Sequence, residues 1–331
     1  MKGKKPAGSW LVLLPAMLLP VLLMLGLCAG AFWISPLEIC NFSEADVLVG
    51  PVVELRLIRM LAALTVGGSL ALSGMVFQAV LRNPLAEPFI LGVSGGAGVG
   101  GALVIVCGLT VWSVLSLPLG AFAGALLALG TVLAISRWGR HGRENLLLSG
   151  VITGTIAGSI LMFLISMAHT DQLAGITWWM LGDLQTADPA LLLPCGAALL
   201  TALGVIWYHA RGLNALAIGD SEAWNLGVNT RKITLILVIT GSLLAAFSVA
   251  LAGIIGFCGL IVPHLVRRIC GCDHRKIIFP VFFWGADFLM VCDILSRLPF
   301  PFREIPIGVI TSLIGGPLFL WIVNRRAHHE N

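Results

Sequence analysis

Charge is scarce in this chain: 11% of its 331 residues are Asp, Glu, Lys or Arg, and 58% are hydrophobic. Soluble domains carry about a quarter charged residues, so a water-soluble fold is excluded; the mean hydropathy of +0.99 agrees. No G-x-x-x-x-G-K-S/T run is present to cradle phosphates. Little polar sequence remains for a nucleotide-binding or catalytic domain, so the chain is not expected to be an enzyme, and any energy source lies on another molecule. Metal-ligand spacing is missing as well. The eight cysteines fall mostly within apolar runs, where a small thiol packs, and Cys270 and Cys272 form C-x-C rather than C-x-x-C. The seven histidines are scattered, with neither relay nor zinc spacing. No metal site and no bound cofactor are expected.

What the chain has is apolar runs, at 10–34, 57–81, 90–109, 112–136, 145–168, 188–208, 233–251, 252–270, 277–296 and 305–324. A bilayer core of about 30 Å takes roughly 20 residues per helix. The runs therefore predict an all-α integral membrane protein of about ten transmembrane helices, a single domain over 1–331. The first run follows Lys2, Lys4 and Lys5, yet it is too long for a signal-peptide core, and Leu27 is a poor residue before a cleaved Cys28. It is read as an uncleaved helix.

With the N-terminus inside, ten spans return the C-terminus to the cytoplasm. They also place there 16 of the 20 Lys and Arg residues, all but Arg56, Arg59, Arg297 and Arg303, as the positive-inside bias requires. Most tryptophans fall at or near span ends, like an aromatic belt; Trp284 lies well inside one. Glycine is abundant, and the run Gly92-Val93-Ser94-Gly95-Gly96-Ala97-Gly98 sits in an apolar span, where small residues let helix backbones approach. A weak repeat links Arg56–Gly74 with Arg231–Gly253, each running through Gly-Ser-Leu. Five spans separate the copies, which would give them opposite topology.

The four outer arginines run against the charge bias. One reading has them snorkelling at helix ends and pairing with Glu54 or Glu304. The other makes them a cluster of exposed guanidinium groups that takes carboxylates from an external protein. The longest cytoplasmic connection, 209–232, predicts one or two short amphipathic helices, broken at Gly219 and ended at Gly227. Over 213–228 it has no cationic polar face, which favours insertion into a groove of a cytoplasmic partner over lying on lipid. Asp293 is spaced to pair with Arg297 at i,i+4. Asp287, within the ninth span, is a functional suspect without an assigned role.

Four segments in this order resemble the FecCD-type permeases of bacterial ABC importers for iron-siderophore, haem or vitamin B12: 78–88, Leu91-Gly92-Val93-Ser94-Gly95, 256–264 and 304–311. The likeness covers essentially the whole chain. It implies a type II importer permease fold in a bacterial cytoplasmic membrane. The implied assembly is a homodimer enclosing one translocation path, two cytoplasmic ATPases that bind ATP and Mg, and an external binding protein that delivers the metal chelate. Arg56, Arg59 and Arg297 look like the family's outer arginines that receive the binding protein, and Arg303 lies beside them. Within 213–228, the residues Leu216, Gly219, Asp220, Glu222, Leu226 and Gly227 look like part of its paired coupling helices. Leu148-Ser149-Gly150-Val151 is similar to the segment lining the path and its gate. One local departure is Gly253-Ile254-Ile255-Gly256, where the family often has Gly-Pro; this singles out the start of the eighth span.

An ion-coupled secondary transporter is the rival from another class. It needs ionisable residues midway through several spans, and Asp287 is the one candidate. A membrane-embedded enzyme needs clustered acidic or histidine side chains in one plane, which the sequence does not offer. Cargo identity is not legible; iron-siderophore comes first because that branch of the family is broadest, with vitamin B12 and haem as alternatives.

Overall fold

The computed structural model describes residues 9–40, 49–138, 143–298 and 304–327. Among them there are helices and connections but no strands. Each of the ten apolar runs holds one helix: α1 Ser9–Cys28, α3 Val49–Val80, α4 Val93–Val106, α5 Ser116–Trp138, α6 Arg143–Met167, α8 Pro189–Tyr208, α11 Thr230–Ala252, α12 Cys258–Cys270, α13 His274–Arg297 and α14 Ile307–Ala327. Four shorter helices lie between them: α2 Pro36–Cys40, α7 Thr170–Met180, α9 Ala210–Ile218 and α10 Asp220–Asn225. By length and composition six of these helices can cross a membrane (α3, α5, α6, α8, α11 and α13), while Leu13–Cys28, Val93–Val106 and Ile307–Trp321 are apolar but shorter.

Helix α3 is the axis of the bundle. Every residue from Thr65 to Val80 is buried, which suits a helix that is apolar on all sides. It packs against α13, α11 and α12. The two repeat helices, α3 and α11, touch directly: Ser73 donates from Oγ to the Gly241 carbonyl at 2.7 Å. The short helices α9 and α10 lie where α3 ends and α11 begins, so α3 and α11 run in opposite directions, as the repeat implies.

The predicted span 252–270 differs most from a plain helix. Gly253–Phe257 is not helical, and α12 is only 13 residues long. At 1.5 Å per residue, α12 rises about 20 Å, short of a bilayer core. The chain reaches α12 through Gly253–Phe257, where Gly253 and Phe257 both have positive φ, at 70° and 67°. Neighbouring connections bond the exposed backbone: Asp183 N–H donates to Ala252 O at 2.9 Å, and Phe257 N–H to the Glu87 carboxylate at 3.3 Å. Non-helical backbone at membrane depth is tolerated where protein covers it in this way.

Helix starts follow local chemistry. Asp188 accepts from Ala190 N–H ahead of Pro189, and Asn229 accepts from Lys232 N–H. Asp273 opens α13, accepting from Arg275 N–H at 3.1 Å and from the Asn214 amide at 2.8 Å. Asp273→Ala is expected to cost about 1 kcal/mol, read by thermal melting in detergent. Donation by Asn214 and Arg275 N–H holds the Asp273 carboxyl below its usual range. Its contribution is therefore complete above an unfolded pKa of about 4 and fades as pH falls through the lower folded value. The alanine variant should lose that part of the acid-side decline.

Candidate functional site

The outer arginines gather at one end of the bundle, and they are buried. Arg56, Arg59 and Arg297 are 6%, 8% and 5% exposed, so the expected cluster of exposed guanidinium groups is not what the chain builds. Arg59 holds Asp293 Oδ1 through Nε and Nη2, both at 2.9 Å, and Glu304 through Nη1 at 2.6 Å. Arg297 pairs with Asp293 Oδ2 at 2.6 Å, the i,i+4 pair read from the sequence. Expected pairing with Glu304 is thus present for Arg59.

What the sequence did not disclose is the role of α1. Its last carbonyls have no helical partner, and the negative end of the helix dipole gathers there. Arg56 donates to Leu27 O at 2.8 Å, Cys28 O at 3.0 Å and Phe32 O at 2.9 Å, with the Phe32 ring 5.2 Å beneath its guanidinium. Arg297 adds bonds to Gly26 O and Ala29 O. Two arginines thereby cap one buried helix end, a physical reason for cations on this side. Arg59 and Arg297 also line a cavity of about 320 Å³ together with Asp183, Gln185 and Glu304. Burial pushes the Asp183 carboxyl up, against the Gln185 N–H and Arg59. Arg303 lies outside the described residues.

At the opposite end stands the predicted amphipathic segment, as two helices. α9 and α10 meet at Gly219, whose φ of 179° is extended backbone open to any residue. The break is therefore not imposed by left-handed geometry. Gly227, at φ +76°, does occupy the left-handed region. Leu216 is fully buried and anchors the pair to the bundle, a correction to its expected outward role, while Leu226 is 67% exposed. Two residues absent from the sequence-based candidates join Leu226 on the surface: Ile218 and Trp224, each 69% exposed. Their apolar type in a polar connection was the available signal. Glu222 is solvent-facing, and its own backbone N–H and the Ser221 hydroxyl hold its carboxyl low. Asp220 accepts from Arg143 at 2.6 Å and from Arg82 at 3.2 Å.

Helix α6 rises from Arg143 and packs on α4 and α5 through Leu146, Ser149, Gly150, Thr153 and Ala157. Gly150 lies against Ile90 and Leu91. Ser149 and Gly150 thus face the interior of the chain and not an open path, contrary to expectation. Leu148 and Val151 are on the free face, each 58% exposed. That face continues in steps of three and four through Ile152, Thr155, Ser159, Met162 and Ser166, so one stripe carries hydroxyls among apolar residues.

Asp287 is buried in α13, and neither carboxyl oxygen has a hydrogen-bond partner; Trp284 Nε1, one turn earlier, is likewise unbonded. Among the described residues no three metal-ligating side chains come together.

The model of the FecCD transport family matches residues 18–325. The chain belongs to that family. The hemin transport system permease protein HmuU of Yersinia pestis is 37% identical over 319 residues, 95% of this chain and 96% of that protein. The vitamin B12 import system permease protein BtuC of Klebsiella pneumoniae is 38% identical over 324 residues, 97% and 95% of the two chains. A solved metal-chelate type ABC transporter in an inward-facing conformation superposes with a TM-score of 0.83 at 30% identity, covering 95% of this chain and 98% of its own. This FecCD chain is a multi-pass transmembrane permease of the ABC importer class, with the type II fold.

Proposed function

We propose that two copies of this FecCD permease enclose a path for a large metal chelate, driven by two cytoplasmic ATPases that bind ATP and Mg and supplied by an extracytoplasmic binding protein. Both termini and the α9–α10 hairpin then face the cytoplasm. The observation that carries the reading is that hairpin: Ile218, Trp224 and Leu226 are exposed on a segment whose other face is sunk into the bundle through Leu213 and Leu216. Exposed apolar side chains on a short helix fit a groove on a partner protein. The hydroxyl-bearing stripe of α6, with Leu148 and Val151 at its start, is the candidate lining of the path.

The binding protein is assigned to the end where Arg56, Arg59 and Arg297 lie. Because these arginines are buried, a carboxylate arriving from outside reaches Arg59 through the cavity beside Glu304. Haem and vitamin B12, the cargoes in the names of the two relatives, are metal complexes of tetrapyrrole-type macrocycles. That chemistry now stands first for this chain, ahead of a ferric siderophore.

The test is uptake and ATP hydrolysis in liposomes holding the permease with its ATPase, given binding protein loaded in turn with haem, cobalamin or a ferric siderophore. One loaded chelate is expected to stimulate hydrolysis and to accumulate; uptake without any ATPase would overturn the reading in favour of ion coupling. Trp224→Ala is expected to weaken retention of the ATPase on the purified permease about tenfold or more, as truncation of a central aromatic anchor does.

A further inference from the structure

We propose that Asp220, clamped between Arg82 and Arg143, is the joint through which movement of the α9–α10 hairpin enters helix α6. The inference rests on the importer reading and gives two arginines, so far without a role, a place in energy coupling.

The geometry is unusually closed for a surface segment. Asp220 Oδ1 meets Arg143 Nη2 at 2.6 Å and Arg82 Nη2 at 3.2 Å. The same two side chains also hold the other side of the Gly219 break: Arg82 Nε donates to Leu216 O at 2.8 Å, and Arg143 Nη2 donates to it at 3.1 Å. Two guanidinium groups therefore grip the last turn of α9 and the first residue of α10 together. Cations at a helix C-terminus complement its dipole and its free carbonyls.

The two arginines come from elements of different character. Arg82 follows the end of α3, the buried axis, and its own backbone is left-handed at φ 49°, a conformation that a non-glycine residue adopts at a cost. This turns the chain sharply at the clamp. Arg143 is the first residue of α6, which keeps one long face free along most of its length. Asp220 thus connects a fixed frame, the hairpin and the helix best placed to shift. Charge-assisted bonds converging on one carboxylate oxygen transmit displacement where apolar contacts would slide. Apolar contacts also hold α9 and α10 to the bundle, through the buried Leu213, Leu216 and Ala223.

The experiment uses the complete importer in liposomes, and wild type is read first. Absence of ATP-driven uptake in wild type would sink the importer reading itself. With wild type active, Asp220→Asn is expected to lower chelate taken up per ATP about tenfold, with uptake and hydrolysis read in the same vesicles. Combining Asp220→Arg with Arg143→Asp should recover part of the loss. An unchanged uptake-to-ATP ratio in Asp220→Asn overturns the proposal. So does loss of the ATPase from the purified Asp220→Asn complex, which would make Asp220 a docking contact. Should the charge-swapped pair fail to assemble, amide exchange of the Asn variant decides. Nucleotide should still change exchange across 210–226 but no longer across 143–150; a persistent response in 143–150 refutes the joint.

Discussion

Replacing Asp293 with alanine is expected to destabilise the protein by about 3–5 kcal/mol, the usual consequence of removing one partner from a buried ion pair. Asp293 is fully buried and its two oxygens face two different guanidinium groups, Arg59 and Arg297. Glu304 remains for Arg59, but Arg297 is left with the carbonyl oxygens of α1 and its own helix as partners. A cation without its counter-ion in so apolar a setting is poorly tolerated. The expected result is a chain that either fails to accumulate in the membrane or melts far below wild type in detergent. Asp293→Asn keeps the volume and one acceptor, and should fall between the two. Equal melting of wild type and alanine variant would show that Arg59 and Arg297 do not depend on this carboxylate.

Gly124→Val is the second large effect. Gly96 and Gly100 of α4 face Gly124 and Gly120 of α5, and a Cβ at Gly124 would meet the Gly96 carbonyl oxygen. Overpacking costs typically about 1–3 kcal/mol when side chains can shift. Here the obstacle is backbone on a second helix, so about 3 kcal/mol or more is expected, with α4 pushed away from α5 and the support under α6 disturbed. Gly130→Ala on the same helix provides the contrast. Nothing lies within 4 Å of a Cβ there, and alanine's better helix propensity should leave stability unchanged or raise it by up to about 1 kcal/mol. Melting curves of the two variants read the difference; similar losses in both would refute the close α4–α5 approach.

The sequence made one half of this molecule far more legible than the other. Hydropathy located one helix in each of the ten apolar runs, six of them long and apolar enough to cross a membrane, because the bilayer's demand for apolarity is written locally. Amphipathic spacing located α9 and α10 for the same reason: the pattern is local. It erred on Leu216, since a short helix with apolar residues on two sides does not say which side is sunk. Arg56, Arg59 and Arg297 were placed at one end correctly, and their exposure was misjudged. Their partners are carbonyl oxygens of α1 and a carboxylate more than two hundred residues away from Arg59, and backbone acceptors leave no trace in residue type. Ser149 and Gly150 were assigned by resemblance to a segment, while burial on a helix changes with every residue. The late start of α12 was signalled only by the local departure at Gly253–Gly256.

That short helix bears on how the protein is made. A translocon sorts segments by their length and apolarity, and arginines count heavily against entry near a segment's centre. Thirteen residues with Arg267 and Arg268 in the last turn, preceded by five without helical structure, fall short of such a signal. Neighbours α11 and α13 satisfy it. The chain from 230 to 297 is therefore expected to insert as one cooperative unit, with α12 drawn in between two strong spans. Substitutions that weaken α11 should accordingly appear as errors of topology during biogenesis before they appear as any loss of folded stability.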